Sequence, residues 1–195
     1  MIIVFFIILL VVLFISYYQE RVHYYKVELV KSDIDEKSYL VRVREDNKEA
    51  ANLLAKISMN MYKLEKYLFD NIKNYPKYEK YIKQLNRKLK NSKIQESTDN
   101  GIYTSYSINK GEQLVFCLRS RKDTTGNLHD LNLLMYVVLH EMAHVACPEF
   151  GHTELFKDIF AFLTNEAIKL NIYTKIDFKN DNKEYCGLTI TDSIV

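Results

Sequence analysis

The sequence predicts an α+β fold in which a small antiparallel sheet accompanies several amphipathic helices. Residues 101–119 alternate apolar and polar side chains around a turn at residues 109–111, which is the pattern of a β-hairpin. Residues 131–147 and 153–170 instead repeat apolar side chains at helical spacing, and Asp130 is placed to cap the first of these two helices. Only five Gly and two Pro occur in 195 residues, which favours regular elements joined by short loops.

Similar patterns assign the remaining elements. Alternation within residues 24–44 predicts a first hairpin, and Asp46 or Asn47 is placed to cap a helix that runs to Leu68 with a period near 3.6. A second helix begins at Pro76 and continues through Leu89, and its many lysines and arginines predict a solvated face. The last part of the chain is polar, with a short strand predicted over residues 187–190.

Composition predicts a single domain over residues 19–195 and lacks the marked excess of basic residues that is typical of a nucleic-acid-binding protein. The chain has 27 basic and 25 acidic side chains, a formal net charge of +2, and the two signs are mixed along most of its length. Its three cysteines (Cys117, Cys147 and Cys186) are few and form no C-x-x-C pair. We therefore expect reduced thiols rather than a disulfide framework or a structural zinc site.

The N-terminal residues predict a membrane anchor. No charged side chain occurs before Glu20, and residues 1–18 predict a transmembrane helix of roughly 27 Å with tyrosines at the membrane surface. Arg21 and Lys26 follow this segment, so the positive-inside tendency predicts a single-pass protein whose domain lies in the cytoplasm. A cleaved signal peptide and a buried helix are the alternatives; the first lacks a basic start and a small-residue cleavage site.

The candidate functional motif is His140-Glu141-Met142-Ala143-His144, within the predicted helix over residues 131–147. Histidines four residues apart lie on one helix face, where both imidazoles can hold one zinc ion. Glu141 is next to the first ligand, where its carboxylate can act as a general base on a water without binding the metal. The apolar helix supplies the dry surroundings that such a site needs.

The third zinc ligand is predicted to be His152. Pro148 and Gly151 end the helix and turn the chain just before it, and three protein ligands with an open fourth position are typical of catalytic zinc. Glu166 is a rival ligand, but it follows His152 by 14 residues, roughly 21 Å along a straight helix, so both cannot bind one ion. Cys147 could also reach the metal, although a small buried residue in the last helical turn is the simpler interpretation.

These residues resemble the WLM and SprT-like zinc metallopeptidases. The resemblance rests on His140-Glu141-x-x-His144 followed by Gly151-His152-x-x-x-Phe156, and on the strand that ends at Arg119. It covers roughly residues 100–170, and it is strongest for the membrane-anchored WLM-like proteins of large DNA viruses. It implies a minimal zincin-like fold, peptidase activity, bound Zn²⁺, three histidine ligands (His140, His144 and His152) and Glu141 as the base.

The sequence therefore predicts a zinc metallopeptidase that acts on a protein or peptide and is tethered to a membrane through residues 1–18. In this mechanism Glu141 takes a proton from water and passes it to the leaving amine, and Tyr173 or Tyr185 could stabilise the oxyanion. One alternative is a membrane-anchored interaction protein with a purely structural zinc site. Another is a protease of DNA–protein crosslinks, which would bind nucleic acid through the Lys-rich residues 77–93.

Overall fold

A computed structural model describes residues 6–16, 27–98, 104–122 and 126–195, and within them it shows an α+β fold. A helix over residues 6–16 (α1) comes first in the chain. The other elements, in chain order, are β1 (Val27–Lys31), β2 (Ser38–Arg42), α2 (Asn47–Asp70), a 3-10 turn (Ile72–Asn74), α3 (Glu79–Leu89), β3 (Lys93–Glu96), β4 (Tyr106–Ile108), β5 (Gln113–Phe116), α4 (Leu131–Ala146), α5 (Glu154–Lys169), β6 (Lys183–Tyr185) and β7 (Leu188–Ile190).

The main sheet has five strands in the order β1-β2-β3-β5-β4 and is mixed, so the predicted antiparallel sheet is wrong. Both predicted hairpins are present: β1 pairs antiparallel with β2, and β4 pairs antiparallel with β5. Strand β3, however, pairs parallel with both β2 and β5. The reason is that α2 and α3 form a crossover between β2 and β3, which returns the chain in the same direction.

Helix α4 lies at the centre of the fold and is buried on most of its sides. It contacts α2, α3 and α5, and it also packs against β4. At its start, the Asp130 carboxylate accepts hydrogen bonds from the backbone N–H of Asn132 and Leu133 at 2.8 and 3.3 Å, which confirms the predicted N-cap. Twelve of its residues are buried, as expected for a helix that is apolar all round: Leu133, Leu134, Met135, Tyr136, Val137, Val138, Leu139, Glu141, Met142, Ala143, Val145 and Ala146.

The predicted transmembrane anchor over residues 1–18 is contradicted. Within the described residues, helix α1 covers residues 6–16, about 16 Å at the usual helical rise, whereas a bilayer core is about 30 Å thick. Across the parts of the chain that the structure describes, no helix combines the length and the apolar character needed to cross a membrane. Residues 1–5 and 17–18 lie outside the described residues. The single-pass localisation and its cytoplasmic orientation therefore lose their basis.

Two of the three cysteines form a disulfide, which corrects the prediction of reduced thiols. Cys117, directly after β5, is bonded to Cys186 in the turn between β6 and β7, across 69 residues of sequence. Cys147 is the free cysteine, and it is buried at the end of α4. No C-x-x-C spacing or secreted framework in the sequence points to this pair, because the two partners meet only in the folded chain.

A buried ion cluster joins the sheet to the start of α2. The Glu96 carboxylate, at the end of β3, accepts hydrogen bonds from Arg119 Nε at 2.8 Å and from the backbone N–H of Arg42 at 2.8 Å. Arg119 also pairs with Asp46, just before α2. Glu96 and Arg119 are 0% and 1% exposed, and Glu96 also pairs with the buried Arg42, so the charges of the cluster depend on one another for compensation.

We expect Glu96→Ala to destabilise the fold by about 3–5 kcal/mol, because it removes the buried carboxylate that pairs with both Arg42 and Arg119 and leaves Asp46 as the carboxylate beside Arg119. The free energy of unfolding in urea measures this loss. Glu79→Ala is the matched control: it breaks the exposed ion pair between Glu79 and Lys83 on α3 and should cost less than about 1 kcal/mol. Equal losses in the two variants would contradict the assigned role of the buried cluster.

Candidate metal centre

Helix α4 presents His140 and His144 from one face, one turn apart, as the spacing predicts. Their Nε2 atoms lie 3.2 Å from each other. Both rings are half-buried at the edge of a core that is otherwise apolar. The regular backbone of the helix therefore fixes two of the candidate ligands without help from any loop.

A tight turn brings His152 to the same point. Helix α4 ends at Ala146, and Cys147 takes an extended conformation that directs the chain away from the helix axis. Gly151 has a φ of +77°, a left-handed conformation that favours glycine. Thr153 then caps α5, its hydroxyl accepting a hydrogen bond from the Phe156 N–H at 3.3 Å. His152 Nε2 consequently lies 3.2 Å from that of His144 and 3.1 Å from that of His140.

The three Nε2 atoms fit a zinc ion. A tetrahedral zinc about 2.0–2.1 Å from each nitrogen requires the nitrogens to lie about 3.3–3.4 Å apart, close to the separations of 3.1–3.2 Å found here. Mutual hydrogen bonds do not account for all three contacts, because the Nε2 atom of a neutral imidazole is either a donor or an acceptor and three such atoms cannot all pair with one another. A cation at the centre satisfies all three nitrogens at once. The predicted ligand set of His140, His144 and His152 is therefore brought together.

The electrostatics of the two helical histidines favour the form that binds metals. Burial, followed by the nearby His144 and His152, lowers the pKa of His140 to about 3. Burial also lowers the pKa of His144 to about 4, with further contributions from His152 and Lys110. Both imidazoles are therefore neutral at neutral pH, as metal ligation requires.

Phe156, on the first turns of α5, packs against all three histidines. Its ring is stacked on that of His144, with 4.2 Å between centroids, and lies 5.0 Å from His140 and 4.8 Å from His152. The sequence placed Phe156 only in an apolar stripe and in the family motif. The structure gives it a physical role, since its contacts restrict the orientations of all three imidazoles.

Glu141 lies beside the three histidines and is not part of the cluster that could hold a metal ion. It is 5% exposed, and it lines the same cleft as the three histidines. Burial raises the pKa of its carboxyl to about 7. A carboxylate in this range can both accept and return a proton near neutral pH, which is the property expected of a general base.

The two rival ligands are engaged elsewhere. The Glu166 carboxylate accepts hydrogen bonds from the Tyr75 hydroxyl at 2.7 Å and from Lys169 Nζ at 2.6 Å, on the part of α5 remote from the histidines. Cys147 is buried at the end of α4, and its sulfur is not among the clustered ligand atoms. The structure therefore supports His152 as the third member of the set.

Lys110 holds the loop that leads to His152, a role that the sequence did not reveal. Its Nζ donates hydrogen bonds to the backbone carbonyls of Cys147, Pro148 and Glu149 at 2.8, 2.8 and 2.9 Å. Lys110 lies in the turn between β4 and β5, which also packs Gly111 against Val145 of α4. The only available signal was a lysine in a tight turn, and such residues are ordinarily exposed.

A cleft of about 820 Å³ opens in front of the histidines. Residues 104–107, in and before strand β4, line part of it, and β4 is the strand at one edge of the main sheet. The other lining residues come from α4, the loops before α5 and β5, and the C-terminal residues that include the β6–β7 hairpin with Tyr185. Of the two tyrosines considered as oxyanion donors, Tyr185 therefore lies in the cleft. Tyr173 is buried in the core, where its hydroxyl accepts the Ile176 N–H.

Comparison with known proteins finds viral relatives. Uncharacterized protein R325 of Acanthamoeba polyphaga mimivirus is 49% identical over 166 residues, which are 85% of this chain and 83% of that protein. Uncharacterized protein 136R of Invertebrate iridescent virus 6 is 42% identical over 82 residues, covering 42% of this chain and 44% of the relative. Uncharacterized protein 042R of Invertebrate iridescent virus 3 is 39% identical over 84 residues, 43% of this chain and 50% of the relative.

No family model matches the chain. A search of the solved structures also gives no match. The resemblance to WLM and SprT-like metallopeptidases thus stays a prediction from the motif residues. The extent and identity of the mimivirus match, by contrast, are sufficient to assign a family: the chain belongs to the same protein family as Uncharacterized protein R325 of Acanthamoeba polyphaga mimivirus.

Proposed function

We propose that this protein is a zinc-dependent metallopeptidase. The observation that carries the proposal is the meeting of three imidazole nitrogens within 3.2 Å of one another in a cleft that a buried carboxylate also lines. A structural zinc site is normally closed by four protein ligands, whereas three ligands facing a cleft leave a position for water or substrate. The adjacent Glu141 has no function in a site that only joins two helices.

The proposed reaction is hydrolysis of an amide bond. When bound, zinc supplies Lewis-acid activation of a water molecule and of the scissile carbonyl. Glu141 accepts the proton that the attacking water loses and then delivers it to the nitrogen of the leaving amine. The buried position of Glu141 suits both steps, because its carboxyl can hold the proton between them. Apolar residues of α4 and the Phe156 ring limit the access of bulk water around the ligands.

The shape of the cleft favours a polypeptide substrate. Strand β4 is an edge strand of the main sheet, and residues 104–107, in and before this strand, line the cleft that contains the histidines. An extended peptide can pair its backbone with a strand in such a position, and this mode of binding selects polypeptides over small esters or amides. The volume of about 820 Å³ accommodates several residues of such a peptide.

We expect His140→Ala, His144→Ala and His152→Ala each to lose bound zinc, because removal of one of three ligands leaves too few to hold the ion. Metal content after dialysis, measured by inductively coupled plasma mass spectrometry, reports this directly. His129→Ala and Glu166→Ala are the matched controls and should each retain one equivalent. Retention of zinc by His152→Ala together with loss by Glu166→Ala would reverse the assignment of the third ligand.

We expect Glu141→Gln to retain zinc and the fold while lowering the rate of casein cleavage by about 10²–10⁴-fold, because glutamine cannot accept the proton of the attacking water. Glu154→Gln is the control, since Glu154 lies on α5 in an exposed ion pair with Lys157. A chelator should abolish cleavage by the unaltered chain. Zinc binding without any cleavage by the unaltered chain would instead indicate a structural site.

We expect Lys110→Met to weaken zinc binding by about 10–100-fold, the usual cost of losing a residue that positions a ligand. The methionine cannot donate to the three carbonyls before His152, so that loop is held less firmly. Competition with a fluorescent zinc chelator measures the affinity. Lys83→Met, which removes an exposed lysine from α3, should leave it unchanged. An unaltered affinity in Lys110→Met would show that the loop does not need this contact.

A further inference from the structure

The β6–β7 hairpin forms one wall of the cleft without being part of the main sheet. Tyr185, Leu188 and Ile190 from this hairpin line the cleft, and β6 and β7 pair only with each other among the described strands. The turn that joins them consists of Cys186 and Gly187, with φ values of 50° and 92°, as in a tight two-residue hairpin turn. Something other than a strand ladder must therefore hold this wall in place.

The Cys117–Cys186 disulfide provides that attachment. Cys117 follows β5 directly, so the bond joins the hairpin turn to the sheet. Beside it, the Cys186 N–H donates to His129 Nε2 at 3.2 Å, and the His129 ring lies 5.3 Å from that of Tyr185. A weaker contact comes from Lys122 Nζ, which donates to the Thr189 hydroxyl at 3.2 Å. The covalent bond is adjacent in sequence to Tyr185 and limits how far this residue can move.

The Tyr185 hydroxyl is fixed by neighbours that are also tied to this bond. Its oxygen is hydrogen bonded to the Ser105 hydroxyl, and Ser105 Oγ in turn accepts the Cys117 N–H at 3.2 Å. Burial raises the pKa of Tyr185 well above its usual value, so the phenol keeps its proton near neutral pH. A phenol oxygen can accept one hydrogen bond while its O–H donates another. When Ser105 donates to the Tyr185 oxygen, the phenol proton is left for a partner in the cleft that Tyr185 lines.

We propose that Tyr185 is a further catalytic residue whose hydroxyl donates a hydrogen bond to the carbonyl oxygen of the scissile bond, and that the Cys117–Cys186 disulfide is its positioning link. This inference rests on the proposed peptidase function. Negative charge develops on that oxygen during attack by water, and a donor already fixed in place stabilises it without reorganisation. No covalent bond to Tyr185 forms, and its proton stays on the phenol throughout.

The test of Tyr185 uses the full chain loaded with zinc. Tyr185→Phe should lower kcat for casein-derived peptides by about 10²-fold while KM and bound zinc stay unchanged. It should also weaken binding of a phosphinic peptide, whose tetrahedral phosphorus mimics the geometry of the attacked carbonyl, by a similar factor in calorimetry. Tyr173→Phe is the matched control, because it removes a buried hydroxyl that lies outside the cleft. Its kcat and its affinity for the phosphinic peptide should equal those of the unaltered chain.

The test of the disulfide is a double-mutant cycle. Cys117→Ala with Cys186→Ala should lower kcat in the unaltered background but cause little further loss when Tyr185→Phe is already present, because both changes remove the same contact. A second route keeps the native cysteines: tris(2-carboxyethyl)phosphine reduces the bond in the zinc-loaded protein. That reaction adds two electrons and two protons to the sulfurs and converts the phosphine and one water to the phosphine oxide.

Each outcome is decisive. A Tyr185→Phe variant that matches Tyr173→Phe in kcat and in affinity for the phosphinic peptide overturns the assignment of Tyr185 and leaves the peptidase proposal intact. Multiplicative losses in the cycle, or a reduced protein of full activity, overturn the disulfide as the positioning link. Absence of any cleavage by the unaltered, zinc-loaded chain overturns the peptidase proposal itself and this inference with it.

Discussion

The rest of the structure depends on one constraint: helix α4 must be buried in the core and must also present polar groups to solvent on one short arc. The helix meets this demand by turning apolar residues towards α2, α3, α5 and β4, while His140, Glu141 and His144 line the cleft. Burial of the imidazoles would be costly if their nitrogens remained unsatisfied. A cation shared by the three histidines would remove that cost, so packing of the core and the proposed metal binding would support each other.

Features that depend on local spacing could be predicted from the sequence. The four-residue interval of His140 and His144 on a helix, the cap at Asp130 and the turn through Gly151 to His152 are all local, and the structure contains each of them. The two hairpins were equally visible, since alternation of side chains and a tight turn identify them. These signals were sufficient to name the three histidines and the carboxylate beside them.

Features that depend on contacts between distant segments could not be predicted. Strand β3 has only four residues, Lys93–Glu96, and its sequence alone resembles the end of a polar helix. It is a strand because it pairs with β2 and β5, which are distant in sequence. The Cys117–Cys186 bond spans 69 residues, and no pattern in the sequence marks it. The prediction from the apolar N-terminal residues was wrong for a different reason: an apolar stretch does not by itself establish a membrane-spanning helix, and the described residues contain none.

The contacts of Lys110 connect strand β4, which lies beside the cleft, with the loop that leads to His152. The turn that contains Lys110 directly follows β4, and the Lys110 ammonium group donates hydrogen bonds to the backbone carbonyls just before His152. One side chain therefore links the position of β4 to the position of the loop that leads to His152. Under the proposed function, a peptide bound along β4 would restrict the motion of the loop that leads to His152. A metal ion held by the three histidines would in turn restrict the motion of β4. We therefore expect a bound peptide to raise the affinity for the metal ion, and a bound metal ion to raise the affinity for the peptide by the same factor.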